Sequence, residues 1–352
     1  MLQLEAFIVW SDLAAPPVVG PPGDETIILT PPRKPRAWGK LAAGSTGVLA
    51  AAVALWLLWP QHLIPPSPPE TVQPPGPAPQ VQAPVVPPPA FALQTAPESE
   101  IRTHESHALT VFRFAPNPDI VVLDFPTLLE QGLMLNRVAA LVEKAGLPRD
   151  RVLTDTELDA AIRQHGDTIE TFYYGHDYPA SALTRFFELA DRNHVQLNGQ
   201  EEKLRHLLQQ LGWLTPGIHG GLISIPQVGA DANVTMSARS SILRHELSHG
   251  EFFSNPAYAD YVRRFWQANL TEKERTGMRR FLGSQEYDVA DEDLMLNEMQ
   301  AYLMFTLDPH FFRPADVGMT EERRNQLQAE FLRGLDVAWL RDTMQHKLAV
   351  TP

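Results

Sequence analysis

The fold is decided by the stretch Ser240-Ser241-Ile242-Leu243-Arg244-His245-Glu246-Leu247-Ser248-His249-Gly250-Glu251-Phe252-Phe253. His245 and His249 are four apart, so on a helix both imidazoles leave one face, one turn apart. That spacing lets two neutral ring nitrogens bind a single tetrahedral Zn²⁺ at about 2.0–2.1 Å. Glu246 falls at the edge of the same face. There its carboxylate can take a proton from water activated by the metal without being a ligand. Ile242, Leu243, Leu247 and Phe253 are spaced to pack this helix into a core and give the ligands a rigid base. With 12 His and 23 Glu in 352 residues, a chance match to this pattern is expected about 0.03 times. The motif therefore carries weight.

A catalytic metal needs a third protein ligand. Glu251 is on the motif helix but turned about 200° from His249, so it cannot reach the metal. Glu298 is the better source. It lies in Leu294-Met295-Leu296-Asn297-Glu298-Met299-Gln300-Ala301-Tyr302-Leu303, a separate apolar helix where a charged group needs a partner. Asp291, Glu292, Glu286, Asp308 and His310 are further candidates.

His245, Glu246 and His249, with Glu298 inside Asn297-Glu298-Met299-Gln300-Ala301, resemble the zincin metallopeptidases of the gluzincin type. Those proteins pair a His-Glu-x-x-His helix with a glutamate on a later helix, often in an Asn-Glu-x-x-Ala setting. The metzincin pattern does not fit. Its glycine and third histidine would fall at positions held here by Phe252 and Asn255. The resemblance spans about residues 221–307. It implies a zinc-dependent endo- or exopeptidase, a hydrolase in which metal-activated water attacks a peptide bond. It also implies a sheet whose edge strand binds extended substrate, and Gly220-Gly221 through Pro226 is the expected edge. Glu246 is the expected base. Tyr302, Tyr287, His310 and His219 could stabilise the oxyanion; Tyr302, one turn beyond Glu298, is the catalytic candidate. Tyr173-Tyr174-Gly175-His176-Asp177-Tyr178 reads as a recognition loop, while His104 and His107 precede the core and have no chemical role.

Outward from the motif, composition changes sharply. Of 32 prolines, 21 fall at or before Pro97. The remaining 255 residues, 98–352, hold 25 basic and 37 acidic groups, a net of −12, which disfavours nucleic acid as a partner. Cysteine is absent, which excludes disulfides, thiolate metal sites and a cysteine nucleophile. Leu41–Trp59 is an uncharged apolar run, and as a helix it covers roughly 28 Å, close to a bilayer core. Arg33, Lys34, Arg36 and Lys40 precede it, and no Lys or Arg follows until Arg102. The positive-inside rule places the N-terminus in the cytoplasm and the rest outside, in the periplasm of a Gram-negative cell.

The expected order is a cytoplasmic tail (1–37), a transmembrane signal anchor (38–60), a Pro-rich spacer (61–97) and a zincin-like domain (98–352). That domain has an N-terminal part (98–214) and a catalytic part (215–352). The tail's apolar patches offer a partner site. The expected fold class is α+β, mostly helical with one small sheet. Ile120–Phe125 and Leu222–Pro226 read as strands. Capping pairs Thr127/Glu130, Thr154/Glu157 and Thr271/Glu274, with Asn198 and Asn255-Pro256, mark helix starts. The last helix is expected over Thr320–His346. The reading is a membrane-anchored zinc peptidase acting on peptides or proteins. The alternatives are an inactive scaffold of an envelope complex and an amidase acting on peptidoglycan stem peptides.

Overall fold

The computed structural model describes residues 90–306 and 308–350. The expected tail, the anchor and the spacer as far as residue 89 lie outside the described residues. Among the described residues no helix is long and apolar enough to cross a membrane. The spacer ends earlier than expected. Leu93–Ala96 form strand β1, paired in parallel with β2 (Thr110–Phe114), so the folded unit takes in residues from Ala90.

Three strands complete the sheet: β3 (Ile120–Phe125), β4 (His176–Pro179) and β5 (Gly221–Pro226), in the order β1-β2-β3-β5-β4. β3 and β5 are parallel, while β2 runs antiparallel to β3 and β4 antiparallel to β5. Residues 98–214 and 215–352 therefore share one sheet. β3 and β5 are buried throughout, as expected of strands covered on both faces. Side chains alternate along β3. Val121, Leu123 and Phe125 face one core, built with helices α2 (Leu128–Val142), α4 (Ala180–Arg192) and α5 (Gly199–Leu211). Ile120 and Val122 face the other, against α6 (Met236–Ser254). Short α1 (Glu98–Thr103) borders that second core, and α3 (Asp155–His165) lies between α2 and β4 in the chain.

The expected edge strand is not an edge, because β5 lies between β3 and β4. The proline is nevertheless placed as its chemistry requires. The amides of Gly221 and Gln227 point to β3, donating to Asp119 and Phe125. The nitrogen of Pro226 therefore points to the β4 side, where pairing has already ended at Ser224. β4 is the true edge on this side.

Helix α6 is seated by two contacts. At its first turns Arg239, fully buried, donates to both carboxylate oxygens of Asp124 on β3, at 2.8 and 3.1 Å. The same guanidinium reaches the carbonyls of Ile101, Arg102 and Pro226. His104 Nδ1 lies 2.7 Å from Asp124, which gives that histidine a structural role. Farther along, α6 crosses the sheet at Gly250. A Cβ there would lie 2.7 Å from Ile120 Cγ2, and one on Gly221 would lie 2.7 Å from Gly250 Cα. Only glycines allow this approach.

The other half is helical: α7 (Pro256–Asn269), α8 (Glu272–Ser284), α9 (Glu292–Gln300), α10 (Glu321–Gly334) and α11 (Ala338–Val350), around their own core. Thr154, Asn198 and Thr271 each close a capping box, and Asn255 caps α7 with Pro256 in its first turn. α9 continues into a π-helical turn, Ala301–Phe305. The expected last helix is two. α10 ends at Gly334, whose Cα packs against the Tyr261 ring, and α11 restarts at Ala338.

Removing one member of the Arg239–Asp124 pair leaves an uncompensated buried charge. Asp124→Ala is expected to cost about 3–5 kcal/mol in urea denaturation. A loss below about 1 kcal/mol would show that the pair does not anchor α6.

Candidate metal centre

α6 and α9 bring His245, His249 and Glu298 together. The two Nε2 atoms are 3.0 Å apart, and Glu298 Oε2 is 3.8 Å from each. A circle through three points with these separations has a radius of about 2.1 Å, the bond length of imidazole and carboxylate ligands to a small divalent metal. His249 and Glu298 are 0% and 1% exposed.

The surrounding groups prepare these ligands. Thr306 Oγ1 donates to the Ala301 carbonyl across the π-helical turn, so it accepts from His245 Nδ1–H at 2.7 Å. That fixes the proton on Nδ1 and leaves the Nε2 lone pair facing His249 and Glu298. Burial, then the neighbouring His249, pushes the His245 pKa well below its ordinary value. Burial lowers His249 to about 4, against an opposing contribution from Asn297. Both rings are neutral at physiological pH, the form that binds a metal. Tyr287 hydrogen-bonds the Glu298 carboxyl.

Acidic groups crowd this centre. Burial, reinforced by mutual repulsion, raises Glu246, Glu298 and Asp177 well above the usual carboxylate range. Glu143, behind them, is pushed up to about 8 by burial. Glu298 Oε2, Glu246 Oε2 and His249 Nδ1 are buried without a hydrogen-bond partner. Orphaned atoms of this kind are costly. A divalent cation at the triad balances the charge of the carboxylates and accepts their lone pairs, so the residues present fit a metal ion.

Glu246 is beside the triad and belongs to a second grouping of possible ligands, with Asp177 and His249. Its carboxylate fills the space over Gly175, where a Cβ would meet Glu246 Oε1 at 2.1 Å. Gly175 has to be a glycine for this carboxylate to lie there. A cavity of about 270 Å³ opens on His245 and Glu246. Phe172, Tyr173 and Tyr174, leading into β4, line it together with Tyr287, Tyr302, Phe311 and Lys144, whose Nζ lies over the Phe172 and Tyr173 rings. Tyr302 sits on the π-helical turn with its ring 4.7 Å from that of His245. Burial raises its phenol pKa, and it hydrogen-bonds Tyr287.

The remaining candidates are placed elsewhere. Glu251 accepts from Asn117, Asn255 and Trp339 on the far side of α6, as its angle on the helix predicts. His310 pairs with Asp308 at 2.6 Å, and Asp291 caps α9. Glu292 accepts from Trp266 and pairs with Arg279. Glu286 pairs with Lys144 and His165. His219 and His107 are exposed. Sequence reasoning missed Asp177, Thr306, Glu143 and Lys144. Asp177 lay inside the aromatic stretch singled out as a recognition loop, the one local signal available.

Comparison of the chain with protein-family models, curated proteins and solved structures gives no match.

The centre predicts about one divalent ion per chain by elemental analysis. His245→Ala or His249→Ala should abolish it, and Glu298→Ala should weaken it at least tenfold. Full retention by Glu298→Ala would move the third ligand elsewhere.

Proposed function

We propose that this protein is a zinc-dependent peptidase of the zincin type, with His245, His249 and Glu298 as ligands and Glu246 as general base. The observation that carries the reading is the Glu246 carboxylate, held over Gly175 beside the triad and opening on an aromatic cavity. The neutral imidazoles and single carboxylate are a donor set of the catalytic-zinc kind. Bound there, zinc supplies a Lewis acid that polarises a scissile carbonyl and lowers the pKa of water to roughly 7.

The chain's own groups supply the rest. Edge strand β4 and the residues leading into it give an extended peptide a partner for strand addition alongside α6. Phe172, Tyr173 and Tyr174 seat its side chains and exclude water. Glu246 accepts the proton of the attacking water and passes it to the leaving amine. The Tyr302 hydroxyl donates to the oxygen that gains charge, its ring packed 4.7 Å from that of His245. The substrate is a peptide or protein. The domain works outside the cytoplasm, held by Leu41–Trp59 as a signal anchor with the Pro-rich spacer as a stalk.

Glu246→Gln keeps size and removes the base. In the purified full chain, zinc content and melting temperature should match wild type, while casein or peptide turnover falls about 10²–10⁴-fold. Wild-type turnover in that variant, or rescue of a deletion by it with no hydrolysis by the wild type, would contradict the enzyme reading.

A reporter fused before Gly39 should be cytoplasmic and one fused at Glu98 external. Two cytoplasmic reporters would remove the anchor and the external placement together.

A further inference from the structure

Asp177 sits where three parts of the site meet. It is on β4, opposite Ile223 of β5, and its side chain is largely buried. Oδ1 lies 3.8 Å from Nδ1 of His249, a nitrogen with no hydrogen-bond partner in a fully buried ring. The same carboxyl lies beside the Glu246 carboxyl. Ligating atoms of Asp177, Glu246 and His249 all lie within 4.8 Å of one another.

The two metal-facing histidines are unequally served. His245 has its Nδ1 proton held by Thr306, which fixes its tautomer. His249 also presents Nε2 to the triad, so its proton belongs on Nδ1 and needs an acceptor. Asp177 Oδ1 is the carboxylate oxygen beside that nitrogen, at 3.8 Å, so that a shift of about 0.9 Å brings the two into hydrogen-bond contact.

We infer that Asp177 is a positioning residue that orients the metal ligand His249 and the base Glu246 through one carboxyl. It accepts from His249 Nδ1–H, which fixes the tautomer and raises the basicity of Nε2. Its place beside Glu246, with one proton shared between the two carboxyls, keeps the Glu246 carboxyl over Gly175 on the cavity side. Because β4 is the edge strand, the residue that aligns ligand and base lies on the strand proposed to receive the substrate. The inference rests on the metal-site reading above and names a residue outside its ligand set.

The test uses the full chain and zinc alone. Zinc affinity is measured by chelator competition for wild type, Asp177→Ala and Asp177→Asn, with apo-protein melting recorded alongside. Asp177→Ala should bind zinc about 10–100-fold more weakly. Asp177→Asn should recover most of that affinity, because its amide oxygen still accepts from Nδ1–H and its amide nitrogen can donate to Glu246. A purely structural residue would instead lower apo melting in both variants without a selective loss of affinity. Asp177→Ala with wild-type affinity would overturn the inference, as would equal losses in both variants. Wild-type protein that binds zinc but hydrolyses no peptide would remove the peptidase reading alone, with the affinities still deciding Asp177. A wild-type chain that binds no zinc would overturn both.

Discussion

Helix α6 has to lie almost in contact with the sheet, and the rest of the site follows from that. Gly250 is the contact point: its Cα faces Gly221 on β5, and its missing side chain leaves room for Ile120 on β3. Arg239 holds the helix start through Asp124 and three backbone carbonyls. A helix pinned at both places cannot roll, and this fixes where His245, Glu246 and His249 point. Next to it Gly175, just before β4, and Asp177 on β4 come against Glu246. A side chain at Gly250 would lift the helix and separate these groups.

Placing neutral imidazoles and several carboxyls in one buried volume is unfavourable for a protein standing alone. The neighbouring groups give the cost a purpose. Thr306 fixes the His245 tautomer, Tyr287 binds Glu298, and aromatic rings line the opening. Orphaned oxygens on Glu246 and Glu298 lie in two adjoining groups of side chains that could hold a cation to balance their charge.

Legibility in the sequence follows the distance over which each feature is determined. His245, Glu246 and His249 share one helix turn, so spacing alone reveals them. Glu298 was legible because a charge among Leu and Met needs a reason. The capping residues Thr154, Asn198 and Thr271 act within three residues and were read correctly. Asp177 was not legible as a partner of Glu246, because sheet pairing joins β4 to β5 across much of the chain. Thr306 reaches His245 only through a π-helical turn, which hydrophobic periodicity does not encode. β1 was hidden in Pro-rich surroundings, and β2 and β4 are too short to show a clear alternation. Pro226 correctly signalled an unpaired side, but the unpaired stretch is the end of an interior strand.

The central claim is a metal held by two imidazoles and one carboxylate at the floor of the cavity. X-ray absorption at the zinc edge on the purified full chain tests it directly. The geometry predicts a four-coordinate site with two imidazole nitrogens and oxygen donors at about 2.0–2.2 Å. Replacing His249 by Ala should remove the imidazole scattering together with the bound zinc. An all-oxygen octahedral spectrum, or one unchanged in His249→Ala, would contradict it.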